Sequence, residues 1–568
     1  MERISKFNNS VKLFSEKIHE TRKNQLGAIE TLHQFIPNTG RLTLDDRRTI
    51  VEQALILLKE LYVHLPLKKA MHVVDPVQKL RIIENRLDEF EEQNHAMPSE
   101  FDFHKELLDI FISLRDLHTN YVLPKPFSDY VAILPFLVES HIENDKRKFL
   151  VTKVNENILP DTFRSGVEIT YWNGIPMQRA VEINAYKNSG SNPPASFARG
   201  LENMTIRPMA TSLPPDEEWV VIGYKTEDGR NLEHRQEWLV VSPDPESRSI
   251  NANSAESKES YTIGMDFTTD LIRQIKKILF APKALIDNEL RLATTKSIDS
   301  LIKNAEGLES IMPNVFRARK ISDDIGYIRI FTFNVNSHQG FVNEFLRLIR
   351  NLPQTGLIID VRGNGGGLIT AAERTLQLLT SNKIIPESFQ FISSPITLNM
   401  ARKIPFLHDW KQSLSESIVT GSIFSRGVHI TSPEDANDIG QQYHGPVILV
   451  TDALCYSATD LFAAGFQDHK IGPILGVDEN TGAGGANVWT HELLKQILAE
   501  TKYKLKPLPA GSSMRVSIRR NVRVGGNAGT PIEDLGIVPD IKYNMTRRDL
   551  LEENVDLINK ASEILRSR

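Results

Sequence analysis

Ser457 follows the apolar, β-branched run Val447-Ile-Leu-Val-Thr and precedes the helix-like run Leu461-Phe-Ala-Ala-Gly-Phe. A hydroxyl at a strand-to-helix junction faces unpaired N–H groups and the positive end of the helix dipole, which favour an anion. That setting suits a nucleophilic serine. The same residues also fit a capping box, with Asp460 three positions after Ser457. Caps outnumber catalytic serines, so the nucleophile needs partners elsewhere in the chain. A second junction supplies one. Leu357-Ile-Ile-Asp-Val reads as a buried strand entering Arg362-Gly-Asn-Gly-Gly-Gly-Leu and then a helix. Three adjacent glycines let the backbone adopt positive φ and aim N–H groups at a phosphate or at a developing oxyanion. No Lys-Ser/Thr follows, and Leu368 stands where a dinucleotide fingerprint has its last glycine. The oxyanion is therefore favoured over phosphate, with a purely structural tight turn as the plain alternative.

His118 emerges on the apolar side at the end of a helical pattern over 103–117, while His104, His444 and His469 lie near the same segments. His118 could equally end its helix through the C-terminal dipole. Cys455, the single cysteine, is a second nucleophile by position, although a buried structural thiol is the commoner use.

The elements that must hold these groups alternate from Gly326 onward. Strands are expected at 326–332, 356–361, 446–451 and 472–476, with helices at 341–351, 369–380 and 458–468. This predicts an α/β core with a mainly parallel sheet. Residues 1–35 carry helical stripes (Ile4, Phe7, Val11, Phe14 and Ile18, then Leu26, Ile29, Leu32 and Phe35), and further helices are expected at 44–63 and 77–93. Between 130 and 242 the pattern changes to short strands, with one over 131–138 and a turn at Asn173-Gly174. The polar stretch 243–260 reads as a linker or exposed loop, followed by helices at 265–280 and 296–306. The expected units are 1–125 (helical, carrying His118), 126–242 (β-rich), 243–320 (linker and helical insertion) and 321–568 (the α/β core).

The chain has 568 residues, 40% hydrophobic and 24% charged, with a net charge of −5. That describes a globular protein with several cores and no nucleic-acid footprint. One cysteine excludes an internal disulfide framework and a cysteine-rich zinc site. No apolar stretch is long enough to cross a bilayer, and the N-terminus lacks a signal-like apolar region. A cytoplasmic protein is the expectation, with export left open had a leader been trimmed.

Three segments carry a resemblance. Leu357-Ile-Ile-Asp-Val-Arg-Gly-Asn-Gly-Gly-Gly, Ser457-Ala-Thr-Asp with Ala463-Ala-Gly-Phe-Gln-Asp, and Ile532-Glu-Asp-Leu-Gly-Ile-Val-Pro-Asp540 resemble the ordered motifs of C-terminal-processing (tail-specific) serine peptidases. Members with a Ser–Lys dyad place lysine 25 positions after the serine. Here that position is Gly482, within Thr481-Gly-Ala-Gly-Gly, which is similar to the branch of chlamydial protease-like activity factor and tricorn protease. The resemblance implies a Ser–His–Glu site: Ser457 as nucleophile, His118 (in Asp116-Leu-His-Thr-Asn-Tyr) as base, and Glu533 orienting the imidazole, with Asp534 the substitute for Glu533. Backbone N–H groups of Gly366 and Ala458 would form the oxyanion hole. It further implies a ClpP/crotonase-like α/β core, and a PDZ-like domain on Phe163-Arg-Ser-Gly-Val-Glu-Ile-Thr-Tyr-Trp-Asn-Gly-Ile-Pro. The implied activity is that of a serine endopeptidase on polypeptide through an acyl-enzyme, with no cofactor and no metal. Neither nucleic acid nor membrane is an expected partner, and self-association is left open. Because His118 and Ser457 come from different units, activity should depend on how the units are placed, and 243–260 is a candidate cleavage or gating loop. Two rivals remain: an inactive pseudo-peptidase acting as a PDZ-type peptide-binding module, and an acyl-thioester enzyme on the same core.

Overall fold

The computed structural model describes residues 26–93, 97–155, 159–243, 261–281, 307–499 and 501–568. The helical stripe expected over Ile4–Ile18, most of the linker at 243–260 and the helix at 296–306 lie outside the described residues.

Buried apolar runs build the middle of the central sheet. Its order is Phe316–Lys320, Gly326–Ile330, Leu357–Asp360, Val447–Thr451, Ile474–Gly476 and Ile541–Lys542. The first pair is antiparallel and the rest are parallel. Residues alternate between the two faces, as a strand's period of two requires. Leu357, Ile359 and Leu449 share the main core with Phe345 of helix His338–Asn351, Ile369 of helix Ile369–Leu376 and Phe462 of helix Ala458–Asp468. Ile358, Ile448 and Val450 pack on the opposite face against Leu557, Ala561 and Leu565 of helix Val555–Arg566. Coverage on both sides explains why these strands contain so little polarity. A mixed helix–sheet core of the expected kind is present.

A second sheet is organised by the long strand Ser513–Val522, which pairs with Ser388–Phe391, Ala486–Thr490 and Asn120–Val122. The last of these begins two residues after His118. The N-terminal helices Leu44–Ile56, Pro76–Gln93 and Glu100–Ser113 precede it.

The β-rich region forms a sheet ordered Asn231–Glu237, Trp219–Lys225, Glu168–Trp172, Lys146–Val154 and Phe136–Glu143. Asn173 and Gly174 turn with φ of 50° and 76°, closing Trp172 onto Ile175, the left-handed pair that a two-residue hairpin demands. Two expectations need correction. The single strand over 131–138 is two, Val131–Ile133 and Phe136–Glu143, in different sheets. Pro135 between them has no N–H to donate. The helical stripe over 26–35 holds only for Leu32–Phe35, because Leu26–Thr31 is a strand paired with the segment around Val240 and Val241. Tertiary pairing overrides the local period there. No helix among the described residues is long and apolar enough to cross a membrane.

Candidate active site

The strand Val447–Thr451 leads through a short turn to Ser457, whose φ of 64° and ψ of −120° are unusual for a residue with a Cβ. Such backbone strain costs about 1–3 kcal/mol and persists where the surroundings enforce it. Here Asp460 enforces it. Its carboxylate accepts hydrogen bonds from the Ser457 N–H at 2.7 Å and the Gly484 N–H at 2.8 Å, and from the Thr481 hydroxyl. The Gly482 N–H in turn donates to the Cys455 carbonyl at 2.7 Å. The glycine run 481–485 thus wraps the serine turn, and a Cβ on Gly484 would stand 2.7 Å from the Ser457 nitrogen. Ser457 itself is fully buried, and its Oγ has no hydrogen-bond partner. The capping-box geometry with Asp460 is nonetheless present at the start of helix Ala458–Asp468, so one residue serves as helix cap and as nucleophile candidate. Cys455 is buried too, with its thiol donating to the Val361 carbonyl at 3.2 Å and its pKa pushed up by burial, so its part is structural.

The glycine turn faces the serine turn. Gly366 has a φ of +97°, and a Cβ there would lie 2.8 Å from the Tyr456 carbonyl and 2.9 Å from the Ala458 nitrogen. The Gly366 N–H donates to Asn364 Oδ1 at 3.0 Å. A third element covers both turns. The strand Ile263–Met265 pairs antiparallel with Gly366–Leu368, placing Gly264 opposite Gly367. A Cβ on Gly264 would be 2.5 Å from Ser457 Oγ.

His118, Glu533 and Ser457 are all buried, yet share no hydrogen bond: both His118 ring nitrogens, Ser457 Oγ and Glu533 Oε2 are without partners. The His118 ring packs on that of Tyr456, the residue before the serine, with centroids 4.6 Å apart. Tyr456 also accepts the Leu117 N–H at 3.1 Å. Glu533 Oε1 is held by Lys68 Nζ at 2.6 Å, and Lys68 also reaches Asp534 at 2.8 Å. The imidazole beside Glu533 is that of His64, 3.7 Å from Oε2. Asp116 accepts from the His118 N–H, Thr119 and Ser517.

Residues 324–543 match the model of peptidase family S41, and residues 130–248 match that of a PDZ domain. Residues 324–543 form an S41 peptidase domain. The carboxy-terminal processing protease CtpB of Bacillus subtilis (strain 168) is 27% identical over 181 residues, 31% of this chain and 36% of that protein. The chain therefore spans about a third of the length of that relative. Solved structures of mature CPAF, alone and complexed with lactacystin, are 15% identical, with TM-scores of 0.60 and 0.58. They cover 91% and 92% of this chain, and 96% and 97% of theirs. That likeness is one of fold.

Burial sets the charge states in and around the S41 domain. It pushes the His118 imidazole down to about 3, against the pull of Asp116, and lowers His64 to about 3 as well. For Asp116, burial is outweighed by His64, His118 and Lys68, which hold it near 2. Burial raises Asp460 to about 6, its hydrogen bonds opposing. Glu533 is also raised by burial, with Lys68 pulling the other way. A neutral His118 makes the closed arrangement acid-sensitive. Below the ordinary histidine value of about 6.5 the unfolded chain takes up a proton that the folded chain refuses until about 3. Stability from this group is therefore complete above that upper limit and lost as pH falls through the window. Relative to the His118→Gln variant, the native chain is expected to lose about 2 kcal/mol between pH 7.5 and pH 5 in urea denaturation. An unchanged difference at the two pH values would contradict the burial of this ring.

Lys68 and His64 carry no signal in the sequence, since they meet Glu533 across more than four hundred and sixty positions. Asp460 was legible only as a cap residue, whereas it anchors the glycine run as well. The role of Gly264 depends on a partner, Ser457, that nothing local announces.

Proposed function

We propose that the chain is a serine endopeptidase that cleaves polypeptide through an acyl-enzyme on Ser457, held in this structure in a closed state. The supporting observation is the serine itself: a strained backbone at a helix N-terminus, a buried hydroxyl bonded to nothing, and a positive-φ glycine turn opposite. In the working arrangement His118 takes the Ser457 proton as Oγ attacks the carbonyl, then returns it to the leaving amine. Glu533 leaves Lys68 to accept from His118 and stabilise the imidazolium. The Ala458 and Gly366 N–H groups bind the oxyanion, the latter once Asn364 releases it. The PDZ-like domain receives an extended segment of substrate along a sheet edge.

The strand Ile263–Met265 occupies the place of substrate. It is tied down by Asp266, paired with Arg199 at 2.6 Å, by the Arg515 guanidinium donating to the Met265 carbonyl at 3.0 Å, and by helix Phe267–Phe280. A cut within 244–260 loosens one end of this segment. A second reading, a pseudo-peptidase that only binds peptides through its PDZ-like domain, draws support from the missing hydrogen bonds among the three side chains. A fluorophosphonate probe separates the two. The expected outcome is slow labelling of the intact chain, fast labelling after a limited proteolytic cut in 244–260, and an adduct at Ser457 by mass spectrometry. A cut chain that takes up no probe would leave only the binding module.

A further inference from the structure

The cluster around His64 shares Glu533 with the catalytic proposal but holds two side chains, His64 and Asp116, to which that proposal gives no part. His64 is fully buried, and neither ring nitrogen has a hydrogen-bond partner. Glu533 Oε2, 3.7 Å from His64 Nε2, is equally bare. Asp116 completes the group, and ligand atoms of the three residues lie within 4.8 Å of one another. Leaving a buried imidazole and a carboxylate oxygen without partners is costly, and a protein interior rarely tolerates it without an occupant or a second conformation.

We infer that His64, Asp116 and Glu533 form a binding site for a divalent transition-metal ion, with Zn²⁺ as the best-suited occupant. One imidazole and two carboxylates suit zinc, which takes histidine nitrogen and carboxylate oxygen as ligands in tetrahedral sites. Donors bound at about 2.0–2.2 Å around a tetrahedral ion stand roughly 3–4 Å apart. The His64–Glu533 pair already has that spacing, and the ligand atoms of all three residues lie within 4.8 Å of one another. The surroundings are those of a braced site. Asp116 is held by the His118 N–H and by the hydroxyls of Thr119 and Ser517, and Glu533 by Lys68 on its other oxygen. Outer contacts of this kind orient ligands before the ion arrives. Lys68 and Arg515 set a limit on affinity, because two buried cations oppose a third positive centre.

Resting on the catalytic proposal above, occupation of this site has a consequence. A metal ion that grips Glu533 Oε2 and Asp116 withdraws the orienting carboxylate from His118 and locks the base's own loop. Zinc would then be a reversible inhibitor acting beside the serine rather than upon it.

The test is a calorimetric titration of the metal-free full-length chain with Zn²⁺, and with Co²⁺ as a visible-absorption probe. One saturable site is expected above the weak background of surface histidines. It should be lost, or weakened at least tenfold, in both His64→Ala and His64→Gln, with cobalt d–d absorption disappearing in parallel. Melting curves of the two variants show whether each remains folded, and the cobalt spectrum of the better-folded one decides. Identical titrations of native chain and variants would overturn the site. Hydrolysis by the cut chain is measured alongside, with at least a tenfold loss at saturating zinc expected. Zinc bound through His64 without loss of hydrolysis would keep the site and remove Glu533 from the catalytic set.

Discussion

Replacing Ser457 with Ala in a chain cut within 244–260 is expected to lower kcat on an unfolded polypeptide by roughly 10⁶-fold, with KM little changed. Ala removes the attacking oxygen and leaves the oxyanion donors and the substrate-binding sheet edge in place. His118→Ala should lose as much. The double variant Ser457→Ala/His118→Ala should be no worse than either single change, because a nucleophile and its base act as a unit. Glu533→Gln should lose less, on the order of 10⁴-fold, since an orienting group acts through the imidazole. Rates followed by release of labelled peptide check all four. The result that would redraw the site is specific: full loss in His64→Ala with normal turnover in His118→Ala. It would make His64, the ring already beside Glu533, the base.

The second large effect concerns the strand over the serine. In the uncut chain, Gly264→Val should raise peptidase activity by about 10–100-fold rather than lower it. A Cβ at that position falls 2.5 Å from Ser457 Oγ and 2.9 Å from the Ala486 carbonyl, so the strand must shift. Overpacking of this kind costs about 1–3 kcal/mol, and each 1.4 kcal/mol against the closed form admits ten times more of the open one. The variant should also take up fluorophosphonate faster than the native chain, in proportion to its activity. Unchanged labelling would mean that the strand does not guard the serine, and diminished labelling that it helps to build the site.

Where the chain announces itself and where it stays silent have a common physical basis. Val447–Thr451 and Leu357–Asp360 are legible because strands covered on both faces must be apolar throughout, and the turns after them because glycine marks positive φ. The alternation of strands and helices fixes the architecture for the same local reasons. Leu26–Thr31 misleads because its apolar residues, spaced as on a helix, are satisfied by a partner strand two hundred residues away. Pro135 splits a run whose hydrophobicity looks continuous. Ser457 is readable as a junction residue with Asp460 as its partner, but its strain is not, since Thr481 and Gly484 hold that carboxylate from more than twenty residues away. Lys68 lies in an ordinary amphipathic helix, Leu65–His72, and only the folded chain reveals it facing Glu533.

The pairing of Asn120–Val122 with Ser513–Arg515 bears on what a nicked molecule would be. A cut within 244–260 separates the peptide bearing the imidazole from the peptide bearing the hydroxyl. The two are laced by that short ladder and by the Val63 N–H on the Ser517 carbonyl. Such a cut would therefore yield no smaller enzyme. It would yield two interlocked fragments that travel together through a native column, part only in denaturant, and have no function alone.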